Sequence, residues 1–199
     1  MDATDLREAA AVCAAVLGET RGQDWSGPAG DLRMSVAETV AHVGDTLLWY
    51  AADAAAGPSE LSTMDLRVRP ETPPAGLLAT VQAHAAVLAA VVTVTPASER
   101  GWHPAGLADA SGFAAMGCDE ILVHTADAAA GLGVPFAPDP ALAARVVHRL
   151  FPWAPGHPDP WAVLLWCNGR APLGERPRRE GWRWHCAPLD EWDGSDPAA

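Results

Sequence analysis

GCDEILVHTADAAAGLG, residues 117–133, reads as a helix that is apolar almost all the way round. Apart from Asp119 and Thr125, its polar side chains are Glu120, His124 and Asp127, spaced i, i+4 and i+7, which stacks them on one helix face. Phe113, Met116 and Gly117 lie on the same face one to two turns earlier, so that face belongs to a core rather than to solvent. A carboxylate and an imidazole buried side by side need a partner, because burying them unpaired is costly. A metal ion is one such partner. An acid and a histidine at this spacing also occur as a plain hydrogen-bonded pair, and the spacing by itself leaves both open. His42, on a separate predicted helix, offers a further imidazole.

Working outward, Asp2–Leu17 carries apolar positions at helical spacing and stops at Gly18. Ser35 with Glu38 three residues on forms a capping box for a second helix. Its stripe is Val36, Val40, Val43, Leu47 and Tyr50, and it ends at Gly57–Pro58. Pro73–Pro74 begins a third helix that ends near Thr95–Pro96, and Asp109 or Ser111 caps the fourth. Four such helices predict an all-α fold, a four-helix bundle. The connections are long, and long connections carry function or cross a bundle. Past Pro138 the character changes. Pro140–Leu150 and Trp161–Asn168 read as short helices, and the alternation in Trp182–Cys186 reads as a strand. The chain thus divides into a bundle with the site, residues 1–138, and a C-terminal extension packed on it, residues 139–199, with a frayed acidic tail from about residue 190. Five of the nine tryptophans fall in Trp153–Trp184, and the expectation is a structural brace rather than a Trp-lined ligand box.

A formal charge of −12 argues against nucleic acid and anionic membrane as partners. All 13 basic residues are arginine, which excludes Schiff-base and P-loop lysine chemistry. With 49% hydrophobic and 19% charged residues there is enough apolar side chain for a core. The uninterrupted apolar runs are short, so no membrane-spanning helix is expected. No signal-like N-terminus is apparent, and a cytoplasmic monomer or homodimer is expected. Cys13, Cys118, Cys167 and Cys186 are scattered without a C-x-x-C pair, which predicts reduced, mostly buried thiols.

SVAETVAHVGDTLLWY (35–50) followed by CDEILVHTADAAAGLGVPF (118–136) resembles the DinB-like metalloprotein superfamily. More closely it resembles the branch named for mycothiol-dependent maleylpyruvate isomerase. AVLLWCNGRAPL (162–173) with WRW (182–184) is similar to the C-terminal segment of many actinobacterial members of that branch. The resemblance implies a DinB-like bundle holding one divalent metal, Zn2+ with Fe2+ or Ni2+ as alternatives, on His42, Glu120 and His124. It implies isomerisation or thiol S-transfer on a small-molecule substrate, with mycothiol or a related thiol as cosubstrate. Glu120 and His124 would then be catalytic, with Asp127 orienting the His124 ring.

Two imidazoles and a carboxylate leave positions open on zinc, as a catalytic site requires. The same donors form the facial triad of non-haem iron enzymes, so an oxidative enzyme is an alternative. A non-catalytic binding or stress-response bundle is another. Arg67 and Arg69, in the loop after the second helix, are candidates for binding a cosubstrate or a substrate carboxylate, which an arginine fork matches. His103 is a weaker candidate ligand. Periodicity places His42 on a polar flank with Thr39, Asp45 and Thr46, where a solvent-exposed histidine is equally natural. The C-terminal arm is shorter than a full two-domain isomerase would need, so maleylpyruvate is not assumed as the substrate.

Overall fold

A computed structural model describes residues 1–61 and 63–198. Six helices follow one another: α1 (Ala3–Gly18), α2 (Val36–Ala56), α3 (Pro74–Val94), α4 (Ala110–Gly131), α5 (Pro140–Leu150) and α6 (Pro160–Cys167). Their starts are set locally. Asp2 with Asp5 and Ser35 with Glu38 form capping boxes for α1 and α2. The Asp109 carboxylate accepts from the Gly112 N–H at the start of α4. Proline sits in the first turn of α3, α5 and α6, where its missing N–H costs nothing.

The first four helices form the bundle. α1 and α2 each pack against both α3 and α4, which places α1 diagonally across from α2. The long α1–α2 loop therefore crosses the bundle, as its length allows. It is held by Trp25, which is buried and donates its indole N–H to the Thr20 carbonyl. At the centre, Gly117 of α4 lets three helices close in. A Cβ there would lie 2.7 Å from Leu6, 2.8 Å from Leu88 and 3.3 Å from Leu47. The apolar face read around Glu120 is thus the bundle core.

α5 and α6 pack on each other, α5 also lies against α4, and the extension shares one apolar cluster with the bundle. Arg149 ties it down. This buried guanidinium donates to Asp109 (2.6 Å), to Ser111 and to the carbonyls of His185 and Cys186. The tail carries two ion pairs, Arg100–Glu191 (2.8 Å) and Arg179–Asp196 (2.7 Å).

Two expectations are corrected. Trp182–Cys186 forms no strand; among the described residues there are only isolated bridges, such as Leu173–Arg176. Its alternation is real, with Trp184 and Cys186 buried and Arg183 exposed, but the buried side faces helices instead of a partner strand. The N–H of His185 bonds to the Leu150 carbonyl at 2.9 Å. By length and composition α3 is also apolar enough to cross a membrane, contrary to the reading from its short apolar runs. In the bundle it packs against α1, α2 and α4. All four cysteines are free and buried.

Candidate metal centre

The packing of α2 on α4 brings together what the sequence held 78 residues apart. His42, Glu120 and His124 each present one ligand-type atom, and the three atoms lie within 4.8 Å of one another. Glu120 Oε2 is 3.2 Å from His124 Nε2 and 3.8 Å from His42 Nε2. The two imidazoles stand edge to face, with centroids 5.3 Å apart and planes at 84°. Their nitrogens converge on one carboxylate oxygen from different directions. The His42 side chain is 44% exposed, so it does belong to a polar flank while its Nε2 still reaches Glu120.

Glu120 Oε2 is buried and has no hydrogen-bond partner. Its 3.2 Å contact with His124 Nε2 is an ion pair whenever the ring is protonated. The other oxygen, Oε1, accepts from the Tyr50 hydroxyl at 3.3 Å. A buried carboxylate oxygen with no assigned hydrogen bond, facing two imidazole nitrogens, is a donor set that could hold a divalent metal.

Each member is held from behind. His124 Nδ1 meets Asp127 Oδ2 at 2.9 Å, so Nδ1 carries the proton and Nε2 turns to Glu120. Arg170 clamps Asp127 through both carboxylate oxygens, with Nε at 3.0 Å from Oδ1 and Nη2 at 3.0 Å from Oδ2. Asp119, next to Glu120 and about 100° round α4 from it, accepts from Asn168 (2.8 Å) and from the Trp184 indole (2.9 Å). Asn168, Arg170 and Trp184 all come from the C-terminal extension. The extension therefore braces the site, and Trp184 goes beyond bracing by lining the cavity beside it.

The charges follow from this packing. Burial pushes the His124 imidazolium down, but Asp127 and Glu120 outweigh it and raise its pKa to about 9. Burial pushes Glu120 up, yet His124, His42 and Tyr50 hold it below its ordinary value. Asp127 is likewise held low, with burial outweighed by His124 and Arg170. Burial pushes Asp119 up to about 7, with Glu120 adding to it. Burial, with help from Glu120, keeps Tyr50 a neutral phenol well past its usual range. Burial also takes the Cys186 thiol up to about 12, which removes it as a neutral-pH nucleophile.

The site opens into a cavity of about 460 Å³ whose wall includes His42, Tyr50, His103, Glu120 and Trp184. His103 packs edge-to-face on Tyr50 and at a tilt against Trp184, with centroids at 5.4 and 5.5 Å, and is not part of the ligand trio. Burial lowers its pKa to about 4, so it is a neutral wall residue. Arg67 lines a separate groove on the other side of His42, next to Asp45. Arg69 is exposed and is not brought into the trio; its carbonyl accepts from the Thr72 N–H.

Sequence reasoning missed Arg170, Asn168 and Asp119 as supports; the segment 162–173 stood out by its resemblance and Asp119 as a polar residue in an apolar helix, but neither signal assigned them a role. Tyr50 was legible only as a stripe residue, although it is the one tyrosine of the chain and lies two turns beyond His42.

A family model described as Mycothiol maleylpyruvate isomerase N-terminal domain matches residues 6–129. The match spans most of α1, all of α2 and α3 and nearly all of α4, and so includes the trio and Asp127. No curated protein and no solved structure matches the chain.

Proposed function

The chain belongs to the mycothiol maleylpyruvate isomerase N-terminal domain family, and on that premise we propose that it is a metal-dependent enzyme using a small thiol, mycothiol or a relative, for isomerisation or S-transfer on a small molecule. The observation that carries this reading is Glu120 Oε2, buried, unpartnered and faced by two imidazoles at the wall of a cavity. His42, Glu120 and His124 would hold the ion, zinc in this reading. When bound it would lower the pKa of a coordinated thiol and so supply a thiolate at neutral pH.

The remaining work falls to the chain itself. Asp127, gripped by Arg170, fixes the His124 tautomer and aims Nε2. Tyr50 stays protonated and donates to Glu120, which keeps one oxygen of that carboxylate occupied and the other turned to the imidazoles.

Metal analysis of untagged protein, paired with thiol-consumption and oxygen-uptake assays, tests the proposal. About one zinc per chain and thiol-dependent turnover of an electrophile without oxygen uptake is expected. Protein that binds no metal, or that consumes oxygen in place of thiol, overturns it.

A further inference from the structure

The cavity beside the trio has a chemistry of its own. Trp49, Tyr50, Trp102 and Trp184 wall it, and its carboxylates besides Glu120 are Asp53 and Glu60. Asp53 lies on the same α2 face as His42 and Tyr50, and it stands three turns beyond His42, roughly 16 Å along the axis at 1.5 Å per residue. The aspartate is only 5% exposed as a residue, its carboxylate opens onto the cavity, and no described residue donates to it or pairs with it as a cation. Burial, followed by Glu60, pushes its carboxyl above the ordinary aspartate value. No arginine lines the cavity among the described residues, and His103 is neutral.

A carboxylate that faces a largely aromatic cavity and has no cation beside it attracts a counter-charge there more strongly than one in open water. The route by which a counter-charge can reach Asp53 is the cavity it lines. Indole and phenol faces carry negative π density and attract cations, and they also pack against an apolar body. An anion entering here meets Asp53 and Glu60 and no guanidinium, whereas the chain's charge of −12 draws a cation in.

We propose that the small molecule filling this cavity is an elongated organic cation, an ammonium on an apolar or aromatic body. Its charge sits at Asp53 among the tryptophan rings, and its reactive end lies at His42, Glu120 and His124. The orientation rests on the proposed function of that trio; the charge class rests on the cavity alone.

Three probes of one shape and different charge decide it: phenylbutylamine, phenylbutanol and phenylbutanoate, titrated calorimetrically near neutral pH into metal-free and zinc-treated protein. The amine should bind about tenfold or more tightly than the alcohol, and the carboxylate more weakly than either. In Asp53→Asn the amine's advantage should fall to about twofold or less, with alcohol affinity kept. Equal affinity for amine and alcohol, tighter binding of the carboxylate, no binding of any probe, or an amine advantage that survives Asp53→Asn overturns the inference. The ranking in the unaltered protein decides by itself if the variant does not fold. Zinc uptake, measured separately, reports on the trio, so either reading can fail without the other.

Discussion

His124 between Asp127 and Glu120 makes the stability of the metal-free protein depend on pH in a definite direction. Its pKa rises from 6.5 to about 9 on folding. At 1.36 kcal/mol per pH unit, that rise corresponds to about 3 kcal/mol of stabilisation from the protonated ring. The ring is nearly buried, at 11% side-chain exposure, so solvent screening removes little of this. Because the folded value lies above the unfolded one, the stabilisation is fully present below pH 6.5 and is lost as the pH rises through about 9. For a chain of this size the loss amounts to a fall in Tm of about 6–12 °C. Circular dichroism melts of chelator-treated protein across that window measure it. Asp119, held near 7, titrates in the lower part of the window, so His124→Asn serves as the control. In that variant the fall above pH 7 should largely disappear. A metal-free protein whose Tm is flat or rising towards pH 9, or a fall that His124→Asn leaves intact, would refute the argument.

Zinc must displace the same proton. Its affinity should therefore climb about tenfold per pH unit between pH 6.5 and about 9, with about one proton released per ion in calorimetry; a flat affinity contradicts it. Arg170→Ala frees Asp127 and lets the His124 ring swing, so zinc affinity in equilibrium dialysis should drop about 10–100-fold with helical content unchanged. Unchanged affinity would make that clamp purely structural. Gly101→Ala would set a Cβ 2.6 Å from the Phe113 ring, 2.7 Å from the Asp53 carbonyl oxygen and 2.8 Å from the Ala54 Cα. Two of those atoms are backbone and cannot give way easily, so a loss of about 1–3 kcal/mol in denaturant unfolding is expected; a neutral result would mean that the loop shifts freely.

What was legible in the chain alone was whatever short-range geometry decides. Ser35 with Glu38, Asp109, and prolines in first turns fix helix starts because the groups that satisfy a free helix end come from within a few residues. Glu120 and His124 had to share a face because a helix puts i and i+4 together whatever surrounds it. Burial of that face followed from Phe113, Met116 and the other apolar residues around it; that Gly117 is where the other helices approach is seen only in the packed bundle.

The rest depended on which helices become neighbours, and no local pattern encodes that. His42 is a metal-ligand candidate because the α1–α2 loop crosses the bundle and leaves α2 beside α4; its own stripe pointed to a polar flank, which its exposure bears out. Trp182–Cys186 alternates like a strand, but period-2 burial arises equally when an extended segment lies on helices, and only the partner tells the two apart. Arg170 reaches Asp127 across 43 positions, and Asp53 is unpaired only because the fold gives it aromatic neighbours and no cation. Helix geometry is a property of the segment and can be read there. The contacts that complete a site are properties of the packed whole, because the free energy that selects them comes from burial shared among elements far apart in the chain.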